Sequence, residues 1–303
     1  MPRLTAIVLG AAAGGGFPRW NCRCAVCSLA WDGDRRVSPR TQASLAVSAD
    51  GVRWTLLNAS PDLRAQLAAT PALHPSGALR TSPIGAVVLT GGEIDQTAGL
   101  LNLRERQPFS IHATAETHKA LADNPMFNAL APDVVARETV ADGPFALPGG
   151  LMAELFVVPG KVPLYLEHGT PDTAAETGAN AGVEIMAGGA RLCFVPGAAA
   201  LTPAVKQRLA RADVILFDGT LFVDDEMIAS GTGTKTGRRM GNMPIDGADG
   251  SLAALVELKA LGKRLIYIHI NNTNPILIDG SPERRRVEDA GFEVARDGLE
   301  IKL

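Results

Sequence analysis

Three cysteines fall within six residues, Cys22-Arg23-Cys24-Ala25-Val26-Cys27. Thiolates at that spacing can cover one face of a tetrahedral Zn²⁺ and leave a fourth position for a donor from elsewhere. Such a closed site is structural, because it pins a loop with too few apolar residues to fold alone. Redox thiols would ordinarily form one Cys-x-x-Cys pair beside a helix start, and Cys22 would then have no role. The fourth ligand is open at this point: His269 and Asn272, from the stretch His-Ile-Asn-Asn, and a water are the candidates. Cys193, between Leu192 and Phe194, reads as a small core residue.

A second group of polar residues follows short apolar runs. Asn58 comes after Thr55 to Leu57, Glu93 and Asp95 after Ile84 to Leu89, Asp218 after Val214 to Phe217, and His269 after Arg264 to Ile268. Each alone could be a turn former or a helix cap; Asp95 in particular could cap the next helix. Together they point to one site built where strand ends converge. One imidazole with two or three carboxylates makes a mononuclear centre of mostly hard donors. Open positions on such a centre suit Fe(II) or Mn(II) at least as well as Zn²⁺. His74, His112, His118 and His168 read as structural or exposed.

The elements that must carry these residues alternate between strand and helix. Thr5 to Leu9 reads as a buried strand ending in glycines, although Met1 to Ala13 also imitates a short signal peptide. Ala43 to Val47 and Arg53 to Leu57 read as a hairpin turning near Asp50-Gly51. Ser60 is placed to cap a helix over Asp62 to Ala69, with Pro61 at its first position. Ile84 to Leu89 predicts a strand, then a polar turn from Thr90 to Asp95 and a helix from Gln96. Further on, Arg191 to Val195, Val214 to Phe217 and Arg264 to His269 predict strands. Helices are expected from Thr202-Pro203 to about Ala212 and over Leu252 to Leu261. Asp142 to Leu151, Glu167 to Ala181 and Ile228 to Gly250, the last with six glycines, read as loops. Interleaving of this kind places the chain in the α/β or α+β class, with helices covering sheets. One domain over 1–303 is expected.

Composition excludes several partners. The 303 residues are 46% hydrophobic and only 20% charged, with a formal net charge of -3, so a large core forms and no basic surface invites nucleic acid or an anionic membrane. Arg35-Arg36 and Arg284-Arg285-Arg286 read as surface. No apolar stretch reaches the roughly 20 residues a bilayer span needs. Crowded free thiols fit a reducing compartment, hence a cytoplasmic protein.

Motifs spread over the chain carry a resemblance. They are AAGGGFPRWNCRC at Ala12 to Cys24, RTQ at Arg40 to Gln42, NASPD at Asn58 to Asp62 and EIDQTAGL at Glu93 to Leu100. FDGT at Phe217 to Thr220, KTGRRMG at Lys235 to Gly241 and HINNTNP at His269 to Pro275 complete the set. Together they resemble the PqqB family of the metallo-β-lactamase superfamily. The resemblance implies an αβ/βα four-layer sandwich. It departs from the superfamily hallmark His-x-His-x-Asp-His, which loads two zinc ions for hydrolysis: the stretch here is Gly91-Gly92-Glu93-Ile94-Asp95-Gln96, and only the Asp survives. The family pattern carries His where this chain has Gln96, and another near Asn242. The third motif's His has no obvious counterpart; the nearest region reads Val158-Pro-Gly-Lys161. Asp218 and His269 match the later metal-binding motifs.

What the resemblance implies is pyrroloquinoline quinone (PQQ) biosynthesis: iron-dependent hydroxylation of the tyrosine in a peptide-derived Glu-Tyr precursor, using O₂ and water. His269, Asp218, Asp95 and Glu93 are the expected ligands of the active-site Fe²⁺ or other divalent metal. Cys22, Cys24 and Cys27 are expected to hold a structural Zn²⁺. Lys235, Arg238 and Arg239 are expected to clamp substrate carboxylates, a task suited to Arg. A soluble carrier of PQQ or its precursor toward the periplasm is the rival reading. A metal-dependent hydrolase is a third, and the missing histidines weaken it. Expected partners are the precursor and other proteins of the same biosynthesis, with a homodimer left open.

Overall fold

The computed structural model describes residues 3–303; Met1 and Pro2, which begin the signal-like segment, lie outside the described residues. The expected first strand is present as β1 (Thr5–Gly10). The first sheet adds β2 (Ser44–Ser48), β3 (Trp54–Leu57), β4 (Ile84–Val88), β5 (Phe109–Ala113) and β6 (Val135–Thr139). The second holds β7 (Phe145–Leu147), β8 (Leu151–Val157), β9 (Ala181–Ala187), β10 (Ala190–Val195), β11 (Val214–Asp218), β12 (Arg264–Ile268) and β13 (Glu293–Val294). The last strand, β14 (Glu300–Lys302), returns to the edge of the first sheet. The orders are β14-β1-β2-β3-β4-β5-β6 and β13-β12-β11-β10-β9-β8-β7.

Side-chain alternation along the strands sorts the core into layers. Leu45, Val47, Leu57 and Val88 of the first sheet pack against Leu151, Val183, Phe194, Leu216 and Ile266 of the second. Their neighbours in sequence face outward. Ala46, Leu56, Val87 and Ile111 pack under Leu63, Leu100 and Leu121 from the helical segments covering the first sheet. Cys193, Ile215, Phe217 and Tyr267 pack under Val205, Leu209, Leu255, Leu258 and Val287 from the helices covering the second. Strands buried on both faces read as continuous apolar runs, which is why Val214 to Phe217 and Arg264 to Ile268 are legible as strands. The result is the expected αβ/βα sandwich. No helix among the described residues is long and apolar enough to cross a membrane.

Several elements differ from expectation. The helix after β3 begins at Leu63, and Ser60 does not cap it: the buried Ser60 hydroxyl donates to Gln66 Oε1 at 3.1 Å. The helix after β4 starts at Ile94, earlier than Gln96, and Asp95 sits in its first turn, not at its cap. The segment 142–151, read as loop, contains β7. Pro148, Gly149 and Gly150 form the tight reversal that joins β7 to β8.

Strand polarity decides where a site can form. β3 to β6 run parallel, as do β10 to β13. The carboxyl ends of β4, β11 and β12 open at one end of the sandwich. There the two sheets are stitched by backbone: Ala13 N–H donates to Ile270 O and Ile270 N–H to Ala11 O, both at 2.9 Å.

Candidate metal centre and thiol site

His269 leaves β12 with a φ of 58°, a left-handed conformation that is strained for a residue with a Cβ. The turn throws its imidazole across the gap between the sheets. Nε2 lies 3.0 Å from Asp95 Oδ2, and Nδ1 lies 2.9 Å from Thr220 Oγ1. The Thr220 hydroxyl donates to Asp218 Oδ1 at 2.6 Å, its shortest contact, so Nδ1–H donates to Thr220. A relay results, from Asp95 through His269 and Thr220 to Asp218. Each ring nitrogen thus faces an oxygen that can share a proton with it. Burial works against the imidazolium, yet the hydrogen bond and charge of Asp95, with the charges of Asp218 and Glu93, raise His269 above its ordinary pKa.

The four expected metal ligands are not equally placed. Asp95 and His269 meet directly, with side chains 14% and 17% exposed. Asp218 is completely buried, which pushes its carboxyl up to about 6. Its Oδ1 also accepts Thr220 N–H, and its Oδ2 accepts Ala198 N–H, so Asp218 faces the imidazole through Thr220. Glu93 turns away. Its Oε1 receives Lys161 Nζ at 3.1 Å and Leu164 N–H at 3.0 Å, and burial raises its carboxyl above the ordinary value despite Lys161. Asn58, the remaining strand-end residue, belongs to the scaffold. At φ 62° it accepts Thr90 N–H and donates to Thr90 Oγ1, both at 2.9 Å, clasping the ends of β3 and β4.

The Gly-rich turn after β1 backs the centre. A Cβ at Gly14 would stand 3.3 Å from Asp95 Oδ2, so a larger residue there would crowd that carboxylate. Gln96 is tied up locally: its Oε1 accepts Glu93 N–H at 3.2 Å. Asn242 does reach the centre, with Oδ1 3.3 Å from Thr220 Oγ1. The other histidines stay outside. His118 and His74 bond backbone carbonyls, and His112 contacts Ser110 and stacks on Phe145.

The expected clamp divides. Arg239 Nη1 and Lys235 Nζ lie 3.3 and 3.9 Å from Glu167 Oε2, where Lys161 also arrives, 2.7 Å from Oε1. Arg238 does not join them; its guanidinium pairs with the exposed Asp249 at 2.6 Å. Lys161, Lys235 and Arg239 thus face only two carboxylates, Glu93 and Glu167, leaving surplus positive charge beside the centre.

The thiols form a separate site. Cys22, Cys24 and Cys27 bring their sulfurs within 4.8 Å of one another, and among the described residues no other His, Cys, Asp or Glu group of three does so. Cys24 precedes the helix Ala25–Trp31, its sulfur accepting Cys27 N–H at 3.4 Å. Asn272 settles against all three: its Nδ2 is 3.3 Å from Cys22 Sγ and Cys27 Sγ and 3.8 Å from Cys24 Sγ. Its backbone oxygen lies 3.7 and 3.8 Å from Cys24 and Cys27. Between the two residues named for a fourth ligand, Asn272 is at the thiols and His269 is turned to Asp95. Burial drives the Cys27 thiol up to about 12. For Cys22 burial acts the same way, but hydrogen bonds from Cys24, Cys27 and Asn272 prevail and lower it.

Residues 53–270 match the beta-lactamase superfamily domain. The coenzyme PQQ synthesis protein B of Methylobacterium nodulans is 56% identical, covering 99% of this chain and all of its own length. That of Rhizobium meliloti is 54% identical, over 99% of this chain and 98% of its own. The chain belongs to the coenzyme PQQ synthesis protein B family. The crystal structure of Zn²⁺-bound PqqB from Methylobacterium extorquens, 52% identical, superposes with a TM-score of 0.95 and covers 99% of this chain and 100% of that one. A diphosphatase of the PhnP family, at 21% identity and a TM-score of 0.68 over 99% of this chain and 97% of its own, shares the fold alone.

Two residues of this family member carry weight that spacing did not reveal. Thr220 lies in the quoted FDGT motif, but a hydroxyl beside an Asp gives no hint of an imidazole 49 residues away. Lys161 is 68 residues from Glu93, and nothing in its local sequence announces the contact.

Proposed function

We propose that the chain acts in cytoplasmic PQQ biosynthesis as a metal-dependent hydroxylase of the tyrosine ring in the Glu-Tyr precursor. The observation that supports this best is the Asp95–His269 contact at 3.0 Å, at the strand ends of both sheets. One imidazole and one carboxylate, with Asp218 behind Thr220, fit a mononuclear divalent ion with open positions. They do not fit a dinuclear zinc hydrolase, which needs several neutral nitrogen ligands. The proton held between Asp95 and His269 marks the spot that favours a cation, and a metal would compete with it there.

When bound, Fe²⁺ supplies the dioxygen chemistry that ring hydroxylation needs. The chain's own residues do the rest. Thr220 fixes the imidazole through Nδ1, leaving Nε2 to ligate, and Asp218 fixes Thr220. Lys235 and Arg239, with the surplus charge at Glu167, draw the carboxylates of a Glu-Tyr substrate toward the centre. The thiol site serves stability: Cys22, Cys24 and Cys27 hold Zn²⁺, with the Asn272 backbone oxygen, 3.7 and 3.8 Å from the Cys24 and Cys27 sulfurs, as fourth donor. A zinc-bound relative at 52% identity supports a zinc site.

The test is single-turnover chemistry. Chain loaded with Fe²⁺ under anaerobic conditions is given O₂, Glu-Tyr and an electron donor, the donor because one oxygen atom enters the ring and the other must be reduced to water. Hydroxylated Glu-Tyr is expected, and none from His269→Ala. A soluble carrier of PQQ or its precursor is the second reading, favoured by the same surplus cations. Tight binding of the quinone with no turnover of Glu-Tyr would select it.

A further inference from the structure

Lys161 closes the stretch Val158-Pro-Gly-Lys161, the region nearest to where a third-motif histidine of the superfamily would be sought, and no histidine stands there. The lysine is not a surface substitution: its side chain is only 11% exposed, four residues beyond β8. Its ammonium stands 3.1 Å from Glu93 and 2.7 Å from Glu167, whose side chain is 7% exposed. Its stem packs under Gly241, where an added Cβ would stand 3.3 Å from Lys161 Cγ and where φ is 85°. Glu93 lies two residues from Asp95, at the cap of the helical turn that carries it. A half-buried carboxylate beside a metal centre demands a cation.

We propose that the Lys161 ammonium is a built-in cation that takes the place of the second metal of dinuclear superfamily members. A fixed positive charge neutralises Glu93 and repels a second divalent ion. It carries no open coordination position, so it cannot generate the bridging hydroxide of a hydrolase. The lysine thereby commits the centre to a single ion at Asp95 and His269. The inference rests on the mononuclear reading of that pair.

The test counts ions by equilibrium dialysis with zinc and elemental analysis, using the full chain. The wild type is expected to take at most one ion besides the one at the thiols. Lys161→His supplies a ligand in place of the charge, and Lys161→Met removes the charge while keeping the stem. Lys161→His should take one further ion, and Lys161→Met should bind the added ion at least tenfold more tightly than the wild type. Lys161→Arg, which keeps the charge, should match the wild type. Unchanged zinc binding in both Lys161→His and Lys161→Met would overturn the proposal. So would a wild-type chain that takes two ions besides the thiol-bound one, a result that needs no variant to fold. A wild type that binds zinc only at the thiols, with the gain still seen in Lys161→His, would sink the metal reading of Asp95–His269 and leave the role of Lys161 standing.

Discussion

His269 Nε2 and Asp95 Oδ2 lie 3.0 Å apart although 174 residues separate them in the chain. One residue follows β12 of the second sheet, and the other lies in the first helical turn after β4 of the first. Their meeting depends on the whole sandwich closing correctly, and the Thr220 hydroxyl on Nδ1 fixes how the ring enters it.

Thr220→Val removes that hydroxyl and keeps the shape. Orienting partners of metal-bound imidazoles are typically worth about 10–100-fold in metal affinity. Iron affinity should fall by that order, with the melting temperature little changed, as read by metal titration and calorimetry. Unchanged affinity would show that the relay to Asp218 has no part in holding the metal.

Cys24→Ser leaves two thiols, too few to close a tetrahedral site. Bound zinc should drop by about one equivalent, and the melting temperature by more than about 5 °C. The iron content of the Asp95–His269 centre should not change directly. A zinc count equal to the wild type would show that the thiols hold no ion.

Asn58→Ala separates scaffold from ligand. The amide's bonds to Thr90 are lost and a left-handed φ is imposed on alanine, so stability should fall by about 1–3 kcal/mol in denaturant unfolding. Metal content per folded chain should stay the same. Metal loss without loss of stability would return Asn58 to the centre.

Glu226 sets a pH dependence. Its carboxyl is 7% exposed, accepts Thr273 Oγ1–H and Phe222 N–H, and is pushed by burial from 4.5 to about 7. The folded state therefore holds its proton more tightly than the unfolded state. Its contribution to stability is complete below about pH 4.5 and is lost as pH rises to about 7, at up to about 1.4 kcal/mol per pH unit. Glu226→Gln mimics the protonated form and should flatten that slope. A slope equal to the wild type's between those pH values, measured by denaturant titration, would count against Glu226 as its source.

Much of this was legible in the sequence, for physical reasons. Strands buried on both faces announce themselves as apolar runs, so β1, β4, β11 and β12 could be placed within a residue or so. β6 could not: Val135–Thr139 buries only its first residue and gives neither an apolar run nor a period of two. The cysteine cluster was legible because its spacing is local. Asp95, Asp218 and His269 were legible as strand-end polar groups, but not how they divide. Only packing shows that Thr220 stands between Asp218 and the imidazole and that Glu93 pairs with Lys161. Arg238 and Arg239 are adjacent in sequence, and their different partners, Asp249 and Glu167, follow from the tight turn at Arg238–Met240.

Anomalous diffraction from crystals of the chain, reconstituted anaerobically with Fe²⁺ and collected at the iron and zinc edges, tests the centre most directly. The account predicts one iron peak bonded to His269 Nε2 and an Asp95 oxygen, and one zinc peak among Cys22, Cys24 and Cys27. Iron absent from Asp95 and His269, or bound only at the thiols, would contradict it.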